Sequence, residues 1–246
     1  MLILLPPSET KRDGGAPDTA LDLAALRFPA LTEPRTAVLD ALGLLDEDPQ
    51  VAARALKLGP TQSHELERNR AINRSPQLPA MDRYTGVLFD ALDAQSLSVG
   101  AREFAGRHLV VHSALFGLVG ALDPIPAYRL SHDSRLPGVS LQRTWRDAIA
   151  AELARETFVL DLRSESYVDL GPAPSQAAYV RVVSADGDGR RRALNHFNKK
   201  SKGLFTRALL EAGIEHSDAA SLTAWAAGAG FDLTVADVGE LELLVA

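Results

Sequence analysis

The residues with most to offer chemically lie between positions 189 and 210, in GRRRALNHFNKKSKGLFTRALL. Arg190, Arg191, Arg192, Lys199, Lys200, Lys202 and Arg207 fall in this stretch with no acidic residue among them, in a chain whose net charge is −6. Cations spaced along a groove displace the counterions condensed on a polyanion. A local basic patch on an acidic protein does this without general stickiness. Asn198 suits an N-cap, which would put Lys199 and Lys200 in a first helical turn. There they oppose the positive end of the helix dipole, at roughly 0.3–1 kcal/mol each. Free N–H groups and added lysines at a helix start suit a bound phosphate. Phe205, Ala208, Leu209 and Ala212 recur at helical spacing as an apolar stripe, leaving Lys199, Lys200 and Arg207 opposite and Lys202 at the flank. A solvated basic face is the plain alternative.

A second group stands at the start of the chain, in LLPPSETKRDGG (residues 4–15). A short apolar strand runs into Pro6-Pro7, which end it and stiffen the loop that follows. Ser8, Thr10, Lys11 and Arg12 can line one wall of an anion site, with Arg129 as a further cation. The competing reading is an ordinary surface turn. Tyr84 and Tyr128 can stack or hydrogen-bond at such a cleft, although a tyrosine in the core is the commoner fate. Gly117-Leu118-Val119-Gly120 reads equally well as a phosphate-binding turn or a tight structural one.

Other constellations are weaker. His108 and His112 form H-x-x-x-H, a metal pair on a helix. The intervening LVV implies a strand, where four residues span about 13 Å and cannot share one ion. His196, between the arginines and the lysines, reads as a hairpin surface residue. Ser8, Asp161, Ser164, Glu165 and His196 could be assembled into a hydrolytic site, yet no spacing requires it. No G-x-S-x-G elbow, phosphate-binding Walker loop or H-E-x-x-H is present. The polar strand ends PPSETK and DLRSESY nevertheless sit where α/β folds commonly place ligands.

The elements that must position these residues follow from length and pattern. The chain has 246 residues, 46% hydrophobic and 24% charged, enough for a sizeable core. It has no cysteine, which removes disulfides, thiolate nucleophiles and iron–sulfur clusters. Its two methionines leave almost no sulfur with which to scavenge an oxidant. The opening MLILL is far shorter than the ~20 residues of a membrane span, and no leader is evident; a cytoplasmic protein is expected. Strands are predicted at 2–5, 108–114, 157–162, 178–184, 231–237 and 240–246. Helices are predicted as several short ones over 19–72, then at 81–92, 145–154, 199–212 and near 218–228. A turn at 186–189 would pair 178–184 with 193–197. The expectation is a single α+β domain over 1–246, a mixed β-sheet flanked by helices.

LFGLVGALDPIPAYRL (115–130) followed by NKKSKGLFTRALL (198–210) resembles the YaaA family of peroxide-stress proteins. LILLPPSETK and the Tyr84-Thr85-Gly86 run fit the same family, so the resemblance spans essentially the whole chain. Lys202 stands where the family carries arginine, and Pro6-Pro7-Ser8-Glu9 replaces its usual S-P-A-K. The resemblance implies an unusual α+β fold with a positively charged cleft, a helix-hairpin-helix-like element and binding of double-stranded DNA. It implies protection during hydrogen peroxide stress by limiting free iron and oxidative DNA damage. On this reading no cofactor or metal is needed. The DNA- or phosphate-binding residues would be Lys199, Lys200, Lys202, Arg207, Lys11, Arg12, Arg129, Ser8, Thr10, Tyr84 and Tyr128. An enzyme acting on a nucleotide or other phosphate-containing substrate in the same cleft is the alternative.

Overall fold

A computed structural model of the chain describes residues 1–185, 191–193 and 196–245. Its strands are β1 (Leu2–Leu5), β2 (Leu78–Pro79), β3 (Leu109–Ser113), β4 (Gly117–Gly120), β5 (Pro124–Ile125), β6 (Val159–Asp161), β7 (Ala177–Ala185), β8 (Arg191–Ala193), β9 (Asp232–Asp237) and β10 (Glu240–Val245). Its helices are α1 (Thr32–Gly43), α2 (Pro49–Ala55), α3 (His64–Arg70), α4 (Ala80–Arg83), α5 (Val87–Leu92), α6 (Val99–His108), α7 (Leu141–Leu153), α8 (Glu165–Val168), α9 (His196–Ala212) and α10 (Ala219–Gly228).

Leu2, Ile3, Leu4 and Leu5 are apolar on both faces of a strand, which suits the middle of a parallel sheet. All four are fully buried there. β1 pairs in parallel with β3 on one side and β6 on the other. The sheet continues from β6 to β7 and β10, again in parallel, and ends on antiparallel strands: β9 beside β10, and β4 beside β3. β8 pairs with the end of β7 beyond the reach of β6. The result is one mixed sheet flanked by helices in an α+β domain, as the pattern predicts.

Because β1, β3, β6 and β7 run the same way, their C-terminal ends share one edge of the sheet. The loops after β1 and β6 leave from that edge, and ligand sites of α/β sheets form there. At the β4 end, the buried Arg35 donates to Phe116 O (2.9 Å), Leu118 O (2.7 Å) and Arg27 O (2.7 Å). An edge strand with free carbonyls invites pairing with another chain, and the guanidinium occupies them instead.

Several local expectations change. Gly117-Leu118-Val119-Gly120 is not a turn but strand β4, buried throughout and paired residue by residue with β3. Its amides are therefore no phosphate cradle; Gly120 N–H, for one, donates to Asp123. His108 closes helix α6 rather than opening a strand, and its Nδ1 lies 3.0 Å from Met1 O. β7 pairs with 191–193 rather than 193–197, since α9 has begun by His196. The 186–189 turn and Arg190 lie outside the described residues.

Helix α9 crosses α5 at Gly203. A Cβ at this position would stand 2.2 Å from Leu88 O and 2.8 Å from the Ala91 Cβ. The backbone carbonyl has nowhere to go, so the glycine sets the distance between the two helices. Gly203→Ala is expected to destabilise by about 1–3 kcal/mol. At roughly 2–4 °C per kcal/mol for a domain of this size, thermal unfolding will register it as a fall of several degrees.

Candidate functional site: a cavity at the strand ends

A cavity of about 710 Å³ opens at the C-terminal edge of the parallel strands. The loop after β1 gives it Pro6, Pro7, Ser8, Glu9 and Thr10, and the loop after β6 gives it Leu162 and Ser164 to Tyr167. Tyr179 and Arg181 enter from β7, and Asn198, Lys199 and Lys202 from α9. The two ends of the chain that carry its polar loop and its basic helix therefore wall one space. The lining carries both signs of charge: Arg181, Lys199 and Lys202 against Glu9 and Glu165.

The first wall is built by pairing two stretches far apart in sequence. Lys11 and Tyr84 form an antiparallel bridge, Arg12 N–H donates to Arg83 O, and Thr85 N–H donates to Thr10 O. This places Ser8 and Thr10, whose hydroxyls are 3.2 Å apart, against Gly86. Gly86 has φ +96°, a conformation costly for any side chain. A Cβ there would also press on both hydroxyl oxygens, at 3.2 and 3.3 Å.

Beneath the loop, the Lys11 ammonium donates to Ser8 O (3.0 Å) and Glu9 O (3.2 Å) and sits 4.0 Å from the centre of the Tyr128 ring. Ser113 Oγ accepts from Leu115 N–H and Phe116 N–H, so its own proton goes to Tyr128, 2.7 Å away. Tyr128 and Tyr84 hydroxyls are a further 2.7 Å apart. This continuous row of hydroxyls is buried and holds the floor. Arg129, also buried, pairs with Glu9 at 2.7 Å, while Asn69 bonds its backbone on both sides. Lys11, Tyr84, Tyr128 and Arg129 support the loop from below and do not line the cavity.

Burial pulls the Lys11 ammonium down to about 7, with the nearby Arg129 and Arg68 charges adding to the effect and Glu65 and Glu9 opposing it. In the unfolded chain a lysine keeps its proton to about pH 10.4. Between about pH 7 and pH 10 the unfolded state therefore binds more protons, and this lysine's contribution to stability rises with pH. Denaturant midpoints at pH 6.5 and 9 will show the wild type gaining more over that interval than Lys11→Met. Equal gains would contradict the assignment.

The second wall depends on a buried ion pair. Asp161 accepts from Arg163 Nη2 at 2.6 Å and Nε at 2.9 Å, and neither side chain reaches solvent. Arg163 also donates to Gly171 O (2.8 Å) and to His112 Nδ1 (2.9 Å). Burial and the adjacent guanidinium push the His112 imidazole well below its ordinary range, so it stays neutral. With Nδ1 accepting, Nε2 carries the proton, and it has no hydrogen-bond partner among the described residues. The Tyr167 ring stands edge-on to the imidazole at 5.2 Å.

Helix α9 forms the third wall, and its apolar face differs from the predicted stripe. Lys202, Gly203, Phe205, Thr206, Leu209 and Leu210 are buried, whereas Ala208 is half-buried and Ala212 exposed. The close approach to α5 at Gly203 turns this side inward and takes Lys202 with it. Lys202 Nζ donates to Arg163 O at 3.3 Å and lies 5.3 Å from the Tyr179 ring centre. Burial draws its ammonium down to about 8; Asp161 and Glu165 oppose the shift and Arg181 assists it. The helix starts at His196, so Asn198 is inside the first turn and not its cap. Lys199 is exposed and lines the cavity; Lys200 is exposed outside it. Arg207 turns away, donating to Leu92 O, Asp93 O and Ser96 Oγ and pairing with Glu211 at 2.8 Å. It thereby caps the C-terminus of α5.

Of the residues singled out in the sequence, Ser8, Thr10, Lys199 and Lys202 meet in the cavity, together with Asn198 and with Ser164 and Glu165 of the hydrolytic alternative. Lys11, Arg129, Tyr84 and Tyr128 lie beneath it, and Arg12, Lys200 and Arg207 lie outside its lining. Tyr179 and Arg181 join it without having been anticipated, and Tyr167 comes with the DLRSESY strand end. The alternation in AYVRVVS was the available signal for the first two: Tyr179 and Arg181 share one face of β7. Among the described residues, no three His, Cys, Asp or Glu side chains are grouped to hold a metal ion. No described helix is long and apolar enough to cross a membrane.

Comparison with known proteins matches residues 1–234 to a family model described as peroxide stress protein YaaA. UPF0246 protein CE1889 of Corynebacterium efficiens is 41% identical over 243 residues, covering 96% of this chain and 95% of the relative. A UPF0246 protein of Corynebacterium glutamicum is 42% identical over 94% of this chain and 93% of its own length. UPF0246 protein SCO2297 of Streptomyces coelicolor is 40% identical over 87% of this chain and 84% of its own.

Proposed function

We propose, for a chain that belongs to the YaaA family of peroxide stress proteins, that this cavity is a phosphate site whose ligand is duplex DNA, bound without strong sequence preference. The observation that carries the reading is the meeting of Ser8 and Thr10 with Lys199 and Lys202 around one space. Hydroxyls and ammonium groups are the side chains that contact nucleic-acid backbones, and they fix position without reading bases. Lys200, exposed beside Lys199, adds a further cation beyond the lining. In the cell such binding would protect DNA during hydrogen peroxide stress and help limit iron-driven damage. A chain without cysteine would do so without sulfur redox chemistry.

Short duplexes of unrelated sequence, titrated by fluorescence anisotropy between about 50 and 200 mM salt, test the proposal. Log affinity should fall linearly with log salt, by about 0.9 per phosphate contact, and equally for all sequences. Binding indifferent to salt would overturn it.

One observation favours a second reading. A volume of about 710 Å³ lies within the ~300–1,000 Å³ typical of small-molecule sites. An enzyme acting on a nucleotide or another phosphate-containing substrate would use the same hydroxyls and lysines. A nucleotide-turnover screen that loses its signal in Ser8→Ala supports this reading, and one with no turnover removes it.

A further inference from the structure

We propose that Lys202 is an amine nucleophile that forms an imine with the aldehyde of a phosphate-bearing sugar held in the cavity, an inference that rests on the phosphate-binding reading above. Buried lysines are rare and normally keep a charged partner. Lys202 is 4% exposed, and among the described residues no carboxylate lies within 4 Å of its nitrogen. Its one hydrogen-bond acceptor among the described residues, Arg163 O, is at the long distance of 3.3 Å. The amine is therefore held in a cavity wall without the ion pair that would keep it charged and inert. With the ammonium drawn down to about 8, about a tenth is the neutral amine at pH 7, far more than for an ordinary lysine near 10.4, and only that form attacks a carbonyl.

The surroundings suit a sugar phosphate. Asn198 and Lys199 precede Lys202 by four and three residues, so all three side chains share one face of α9. Lys199 supplies a cation one turn from the amine; Arg181 of β7 also lines the cavity, its guanidinium shared with Glu240 (2.8 Å) and Glu165 (3.4 Å). Asn198 Oδ1 is buried with no hydrogen-bond partner among the described residues. Such an orphan acceptor in a cavity wall is a place for a donating ligand hydroxyl. Ser8 and Thr10 offer further hydroxyl partners opposite.

The step balances without an oxidant or reductant. The amine lone pair attacks the carbonyl carbon, the C=O π pair moves to oxygen, and that oxygen takes a proton. The resulting carbinolamine then loses its oxygen as water, carrying away both protons of the original amine, as the nitrogen lone pair completes the C=N bond. The aldehyde has two possible sources with the same chemistry: a ring-opened abasic deoxyribose between phosphates in DNA, or a free sugar phosphate.

Wild-type protein incubated with sodium cyanoborohydride and either an abasic-site duplex or glyceraldehyde 3-phosphate will distinguish them. The expected result is one reduced adduct by intact mass, mapped to the peptide carrying Lys202 and formed at least tenfold faster than at the exposed Lys57. An adduct with the duplex alone identifies DNA as the source, and one with the sugar phosphate alone identifies the small molecule. Lys202→Arg, its folding checked by thermal unfolding, should lose the adduct; the wild-type map decides should it fail to fold. Labelling spread evenly over surface lysines, or none, overturns the imine. If an intact duplex still binds in that case, the phosphate reading stands; if it does not, both fall.

Discussion

Replacing Lys199 and Lys200 together by glutamate is expected to weaken duplex DNA binding by about tenfold or more and to reduce the salt slope by about two. Both side chains are exposed, so reversal leaves the helix packing alone. Neither Lys202 nor Phe205, which face inward, is touched. The thermal midpoint should accordingly stay within about a degree or two of wild type, since surface substitutions usually cost within ±0.5 kcal/mol. Lys199 contributes from inside the cavity and Lys200 from outside its lining. The single variants therefore separate the two zones: Lys199→Glu should impair a nucleotide-sized ligand and a duplex alike, whereas Lys200→Glu should impair the duplex alone. Anisotropy titrations across the same salt series read both effects. An unchanged slope in the double variant would remove the helix from the interface.

The largest stability effect is expected at Asp161. Asp161→Ala leaves the fully buried Arg163 guanidinium without its carboxylate, and losing one partner of a buried pair costs about 3–5 kcal/mol. At roughly 2–4 °C per kcal/mol, the midpoint should fall by about 6–20 °C. The penalty is not confined to the pair. Arg163 also holds Gly171 O and His112, and its own carbonyl receives Lys202. Loss of Asp161 should therefore loosen the Leu162–Tyr167 wall and weaken ligand binding in protein that remains folded. Asp161→Asn, which keeps an acceptor for one guanidinium N–H, should cost less. Equal midpoints for wild type and alanine variant would mean that the guanidinium is hydrated or rearranged.

How much of this was legible in the sequence differs from one residue type to another. The LILL run and the prolines after it fixed a buried strand with a polar loop at its end, because both signals are local. DLRSESY carried the same information for the second wall. The mixed sheet and the late basic helix were likewise readable from period and composition. What escaped was long-range. Lys202 looked like a flank residue because the alanines at 208 and 212 completed a plausible stripe; Gly203 marks the face that α5 presses on, but only the partner helix makes that meaning visible. Gly117-Leu118-Val119-Gly120 has turn-forming residues at both ends, and pairing with β3 overrode them. Tyr84, Tyr128 and Arg129, expected from the sequence to face the cleft, lie instead beneath the opening loop as buried supports, a distinction set by which groups cover them. Arg207 could not be separated from the other helix cations without seeing the α5 carbonyls it caps.

Everything rests on the β1 loop and helix α9 gripping one ligand together. Amide hydrogen exchange, measured with and without a short duplex at low salt, tests this most directly. Slowed exchange in both 6–11 and 198–206, with the peptide around β9 and α10 unchanged, is the predicted result. Protection confined to one of the two segments, or appearing only at a distant surface, would contradict it.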